Sequence, residues 1–161
     1  AMELPGRSPK LLAAFREATM ELDSVYSLFP KACGLSQAEY WSLLLVYEGV
    51  ETQSEISDLL FLSRQTLNSA FKQLKKKGLV RLEPYEENQR AKRAFLTERG
   101  KEFVSSYVVR MHFVEEQAWS RMTGEEQKQL TDLTKKYSRL LRQEFRTRTQ
   151  TNVNSCSSED L

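Results

Sequence analysis

Cysteine and histidine are almost missing from this 161-residue sequence. The two cysteines, Cys33 and Cys156, lie far apart and form no spaced framework. That excludes a disulfide scaffold and fits a reducing, cytoplasmic setting. His112 is the single histidine, with no cysteine or second histidine at ligand spacing, so no metal is expected. A Ser-His-Asp hydrolase would have to use this same His112, and no nucleophile-elbow sequence accompanies it. The six glycines form no phosphate-binding loop. The chain therefore reads as no enzyme and carries no expected cofactor of the catalytic kind. No apolar run approaches the ~20 residues of a membrane helix. No basic stretch with an apolar core opens the chain, so neither a membrane partner nor a secretion signal is expected.

Hydrophobic residues make up 40% of the chain and charged ones 29%, a balance that suits one mainly helical domain with appendages. The net charge is only +2, but its distribution is uneven. Between Arg64 and Lys101 stand eleven basic residues against four glutamates, a local excess of +7. A basic segment in an otherwise acidic chain is the electrostatic footprint of a nucleic-acid contact.

Apolar periodicity places the elements. Pro9 opens a long helical pattern carrying Leu11, Phe15, Ala18, Leu22, Val25 and Phe29, which Pro30 and Gly34 are expected to end. Ser36-Gln-Ala-Glu39, Thr52-Gln-Ser-Glu55 and Thr123-Gly-Glu-Glu126 read as capping boxes at three helix starts, and Ser63 can cap a fourth. The helix after Ser63 places Leu67, Ala70, Phe71 and Leu74 on one face and ends at Gly78. Leu79–Tyr85 and Arg90–Thr97 alternate as strands, with the polar run Glu86–Gln89 as hairpin tip. A helix from Glu98 to about Met122 shows Phe103, Val104, Tyr107, Val108, Met111, Val114 and Ala118 as its stripe. The last helix shows Leu130, Leu133, Tyr137, Leu140, Leu141 and Phe145, and beyond about Thr147 a polar, disordered tail is expected.

Two short helices, a third, and then a β-hairpin follow the order of a winged helix-turn-helix. With Leu67, Phe71 and Leu74 facing inward, the opposite face of the third helix holds Gln65, Asn68, Ser69, Lys72 and Lys76. These side chains can match base edges and phosphates. Between Arg64 and Lys77 there is no acid, whereas an ordinary solvated helix mixes glutamate with lysine. The hairpin's Arg90, Lys92 and Arg93 can place a cation in the electronegative minor groove.

Several motifs carry a family resemblance. They are Leu35-Ser36, Glu55-Ile-Ser-x-Leu59, Leu62-Ser63-x-x-Thr66-Leu67, Leu74-x-x-x-Gly78-Leu-Val-x-Leu82, and Arg90 with Leu96-Thr97-x-x-Gly100. Through them the chain from Thr52 to Gly100 resembles the winged-helix core of MarR-family transcription regulators. With the flanking helices the likeness runs from about Pro9 to Phe145. The resemblance implies a mainly α fold with a small β-hairpin: a winged helix-turn-helix core with long N- and C-terminal dimerisation helices. It divides the chain into an N-terminal dimerisation helix (1–35), the DNA-binding core (36–98), C-terminal dimerisation helices (99–146) and a tail (147–161).

The same resemblance implies a homodimer that binds a pseudo-palindromic operator in double-stranded DNA as a ligand-responsive repressor. Gln65, Thr66, Asn68, Ser69 and Lys72 would face the major groove, flanked by Arg64 and Lys76. Arg90 would enter the minor groove beside Lys92. Two departures are present: Asn88 stands where the family's wing often has Asp, and Ser57 where it has a small alanine. A small aromatic or lipophilic effector would enter a cleft lined by Phe15, Tyr40, Trp41, Leu44 and Met111. Cys33 is a candidate redox residue, with Lys31 near enough in sequence to lower its pKa. The competing reading is a winged-helix protein-interaction adaptor without sequence-specific DNA binding, which would need an apolar recognition face.

Overall fold

Short polar side chains set the helix starts. In the computed structural model, which describes residues 6, 9–84 and 92–156 (151–156 by backbone alone), helix α3 (Gln37–Tyr47) opens with a complete capping box. The Ser36 hydroxyl accepts from the Glu39 amide at 3.2 Å, and the Glu39 carboxylate accepts from the Ser36 amide at 2.9 Å. Helix α4 (Gln53–Leu60) has half a box. Thr52 caps the Glu55 amide, but the Glu55 carboxylate takes the Thr52 hydroxyl instead of its backbone N–H. Ser63 caps helix α5 (Arg64–Lys76) and Thr97 caps helix α6 (Glu98–Phe103), the latter a cap that periodicity alone does not reveal.

The first helical stretch is two helices, α1 (Lys10–Tyr26) and α2 (Leu28–Cys33), separated at Ser27. Pro30 does not end the stretch. It sits in the first turn of α2, where a missing N–H forfeits no intrahelical bond. Gly34, at φ +67°, terminates α2 in the left-handed region that glycine adopts without a Cβ penalty.

Strands β1 (Val80–Pro84) and β2 (Lys92–Leu96) pair antiparallel, with Val80 opposite Leu96 and Pro84 opposite Lys92. The expected tip, Glu86–Gln89, and the expected minor-groove residue Arg90 lie outside the described residues. The hairpin base is tied to the segment before α4. Thr52 bridges Arg93, and the Ala94 amide donates to the Glu51 carbonyl at 2.7 Å.

One core joins these elements: Tyr40, Leu43, Ile56, Leu67, Phe71, Leu74 and Leu79 are buried together with Val104 and Val108. The last two lie on a π-helical segment (Val104–Val108) that follows α6 directly. Both belong to the apolar stripe read from the sequence, and here they fill the chain's own winged core. At the same junction Gly100 sits against the Leu79 carbonyl, where a Cβ would fall 2.0 Å from the oxygen, so no larger residue fits without a backbone shift. Thr97 donates its amide to that same carbonyl at 3.1 Å.

The chain forms two compact units, residues 1–113 and 114–161. The segment from Arg99 through Val108 thus packs with the winged core, whereas a division at 98/99 had grouped it with the C-terminal helices. Helix α7 (Val109–Ser120) follows, and helix α8 (Gly124–Cys156) starts with the expected Thr123–Glu126 capping box. Helix α8 also corrects the expectation of disorder from Thr147 as far as Cys156, where the helix ends; the rest of the expected tail, 157–161, lies outside the described residues. Thr147 and Thr149 return their hydroxyls to the carbonyls of Gln143 and Phe145, and Arg148 pairs with Glu144 one turn back. No described helix is long and apolar enough to cross a membrane.

Candidate nucleic-acid interface

Helix α5 has two chemically distinct faces. Leu67, Ala70, Phe71 and Leu74 are buried, while Arg64, Gln65, Thr66, Asn68, Ser69, Lys72 and Lys76 are all exposed. Seven of the nine residues singled out for DNA contact therefore share one accessible helix. Lys92 is exposed on β2, and Arg90 lies beyond what is described. The Thr66 hydroxyl is hydrogen-bonded with that of Ser63 at 2.9 Å. Thr66 thus helps to hold the helix start as well as facing outward.

Two contacts fix α5, and neither is legible locally. Ser57, buried on α4, donates its hydroxyl to the Leu62 carbonyl at 2.7 Å, and Leu62 donates its amide to the Ser57 carbonyl at 3.2 Å. Ser57 thus fastens the turn between α4 and α5. Within that turn Phe61 adopts φ +52°, an uncommon conformation for a residue with a Cβ. At the other end of α5, the Lys77 ammonium meets the buried Glu39 carboxylate at 2.6 Å. Burial alone would raise the Glu39 pKa. Hydrogen bonds from Lys77 and Ser36 outweigh it and hold the carboxyl below its ordinary value. One carboxylate therefore caps α3 and anchors the end of α5.

Between α5 and the hairpin lies a groove of about 790 Å³. Phe71 and Leu82 form its apolar floor, and Gln53, Asn68 and Gln73 offer amides. Four lysines line it: Lys72, Lys75, Lys76 and Lys92. Among the described residues no carboxylate lines it and none of the four lysines makes an ion pair. Gln53, Gln73 and Lys75 escape a sequence reading centred on the face opposite the core, because Gln73 and Lys75 flank that face on α5 and Gln53 is brought in by α4.

The hairpin arginines that are described serve the fold. The Arg93 Nη2 pairs with Glu51 at 2.7 Å and its guanidinium lies 5.8 Å from the Phe95 ring centroid. Arg81 Nε pairs with Glu83 at 2.9 Å and its guanidinium lies 5.0 Å from the same ring. Arg93 had been a candidate cation for the minor groove; here it pins the hairpin to the segment before α4.

The remaining candidates are dispersed. Tyr40 and Leu44 are core residues, Trp41 and Met111 are half-buried against that core, and Phe15 is exposed on α1. Tyr40 and Leu44 thus spend their side chains on packing within the chain instead of lining a cleft. Cys33 is buried, and burial pushes its thiol pKa up, away from the thiolate form that oxidant sensing needs.

Residues 34–91 match the model of the MarR family. An uncharacterised HTH-type transcriptional regulator of Bacillus subtilis (strain 168), YybA, is 28% identical over 113 residues, covering 70% of this chain and 75% of the relative. The structure resembles that of the transcriptional regulator SlyA, with 25% identity, a TM-score of 0.64, and coverage of 86% of this chain and 99% of SlyA. It shares its fold with NMB1585, a MarR family regulator from Neisseria meningitidis, at a TM-score of 0.75 and 18% identity, covering 87% of this chain and 99% of that one. Family model, relative and fold agree with the motifs around α4, α5 and the hairpin: residues 34–91 of this chain are similar to the MarR family, and the fold is one shared with solved transcriptional regulators.

Proposed function

We propose that this chain is a sequence-specific DNA-binding transcription regulator that acts as a homodimer on a pseudo-palindromic operator. The observation that carries the reading is the exposed, acid-free face of α5 beside a groove whose four lysines make no ion pair among the described residues. Asn68, Ser69 and Gln65 supply donors and acceptors for base edges in the major groove, and Lys72 and Lys76 supply counter-charge for phosphates. An adaptor that docked a protein through α5 would present an apolar surface there, and this face is polar.

The homodimer is supported by apolar side chains with no cover in the single chain. Leu11, Met20 and Leu22 on α1 are exposed, as are Leu133, Leu141 and Phe145 on α8. A soluble protein keeps such stripes only where another surface covers them. Two-fold symmetry would then place two copies of α5 about one DNA turn, roughly 34 Å, apart, which is why a pseudo-palindrome is the expected operator. Repression relieved by a small aromatic or lipophilic anion follows from the family resemblance and forms part of the proposal, as does a cytoplasmic location.

The test is a gel-shift series on genomic fragments, including the region upstream of the protein's own gene. Asn68→Ala and Ser69→Ala should each lose about 1–3 kcal/mol of preference for the bound fragment while keeping affinity for unrelated duplex. Equal loss on both DNAs would remove sequence reading from α5. Adding an aromatic carboxylate such as salicylate should release the fragment, and undisturbed complexes across a series of such acids would count against effector control.

A further inference from the structure

We infer that helix α8 carries a second face for duplex nucleic acid, a stripe of Lys135, Arg139, Arg142 and Arg146 that takes backbone phosphates. It goes beyond the reading of α5 above and does not require α5 to read sequence.

The stripe follows from spacing. Steps of four, three and four residues keep these side chains within about 60° of one another on an α-helix, along about 17 Å of its axis. All four are exposed. Leu133, Tyr137, Leu140 and Leu141 form an apolar stripe on the roughly opposite side of the same helix. A surface that covers the apolar stripe therefore leaves the basic one open.

The helix itself gives no reason to gather these cations. From Lys135 to Arg148 six basic residues stand against a single acid, Glu144, which pairs with Arg148. Among the described residues none of the four stripe cations makes an ion pair. Earlier in α8 Lys128 meets Asp132 one turn on, which is how a solvated helix face balances its charge. Along the stripe the neighbours one turn apart are instead alike: Lys135 with Arg139, Arg139 with Arg142, and Arg142 with Arg146. Like charges at that spacing destabilise a helix until an anion supplies the counter-charge. Nor do these cations serve the negative end of the helix, because its last turn holds no basic residue.

The chemistry selects the partner. Three of the four cations are arginines, whose planar forks take two phosphate oxygens at once. Duplex DNA carries one charge per ~1.7 Å of axis, so a 17 Å row faces about ten phosphates and finds counter-charge without a close steric match. A lipid surface fits less well. An amphipathic helix on a membrane sinks its apolar face into the acyl boundary. On α8 that would turn the four cations away from the headgroups.

The experiment is fluorescence anisotropy on a labelled duplex of arbitrary sequence across a salt series. It uses the full-length chain with α5 disabled by Asn68→Glu/Lys72→Glu/Lys76→Glu. This chain should still bind at low salt, with log K falling against log salt by about 3–4 units per bound protomer, since each phosphate contact contributes roughly 0.9. Adding Arg139→Gln/Arg142→Gln/Arg146→Gln should remove about 2.7 of those units. Arg139→Lys/Arg142→Lys/Arg146→Lys should restore them. Far-UV circular dichroism should match in all three, because glutamine and lysine keep nearly the helix propensity of arginine. A slope unchanged by the glutamine variant would overturn the proposal. So would retention of the α5-disabled chain on phosphatidylserine vesicles but not on duplex, which would assign the stripe to a lipid surface. An α5-disabled chain that binds no duplex at low salt would also overturn it, and would leave sequence reading by Asn68 and Ser69 standing.

Discussion

The two compact units are built on opposite terms. In residues 1–113 the helices and the hairpin bury a shared core, with Tyr40, Leu43, Ile56, Leu74, Val104 and Val108 wholly out of solvent. Across residues 114–150 not one side chain is buried, although Leu130, Leu133, Tyr137, Leu140 and Leu141 recur at helical spacing along α8. Capping and pairs one turn apart, such as Thr123 with Glu126 and Lys128 with Asp132, give that helix local support. Such pairs contribute only about 0.2–0.5 kcal/mol each. The comparison teaches that burial within the chain holds the first unit, while the second has an apolar face whose stabilisation has to come from another surface.

The largest effect is expected where that difference can be broken outright. Leu133→Ala/Leu140→Ala removes four leucines from the proposed homodimer. At roughly 1.5–3 kcal/mol for each side chain buried, this should cost on the order of 6 kcal/mol of association, about four decades in Kd. Sedimentation at micromolar protein should show wild-type dimer and variant monomer; a monomeric wild type would mean that the stripe is covered in some other way. Next in size is Leu74→Ala in the winged core, which should lose about 2–5 kcal/mol of unfolding free energy in urea while the variant still sediments as wild type does. A change of oligomeric state there would blur the distinction between the two units.

The smallest effect sharpens the picture of the first unit alone. The Glu39 pKa is depressed in the fold, so its contribution to stability is present above the unfolded value of about 4.3 and is lost as pH falls through the folded value. Glu39→Gln should therefore be less stable than wild type at neutral pH, and the gap should close as pH drops below about 4. Unfolding curves at pH 7 and in the acid range would show it. A gap that stays constant would mean that the charge of Glu39 adds nothing beyond its hydrogen bonds.

How far the sequence foretells this structure depends on how local each cause is. Ser36, Ser63 and Thr123 announce their helices because a cap acts within three residues, and Leu67, Phe71 and Leu74 announce the buried face of α5 because they share one turn geometry. The Lys77–Glu39 pair spans 38 residues, and no spacing rule reaches across it. Pro30 misleads because a proline in the first turn of a helix is spelled the same way as one that ends a helix. Arg93 looks like a free hairpin cation until Thr52 is seen to bridge its strand and Glu51 to meet it. Of the candidate interface, the α5 face was legible residue by residue. The groove was not, because α4, α5 and β2 meet only in three dimensions.

The π-helical segment at Val104–Val108 acts on phase. An α-helix advances about 100° per residue, and a single π turn takes up one residue more than the α-helical path would. Within α7 each side chain is thereby displaced by about 100° around the helix from where an uninterrupted wheel would put it. This is why a stripe counted straight from Phe103 to Ala118 merges residues with different destinations: Val104 and Val108 are buried in the core, and Val114 stands exposed. The segment works as an angular offset between the part of the helix that packs and the part that is presented. Such an offset is altered by the gain or loss of one residue, so α7 could be re-aimed by a single-codon insertion or deletion with its own residues left unchanged.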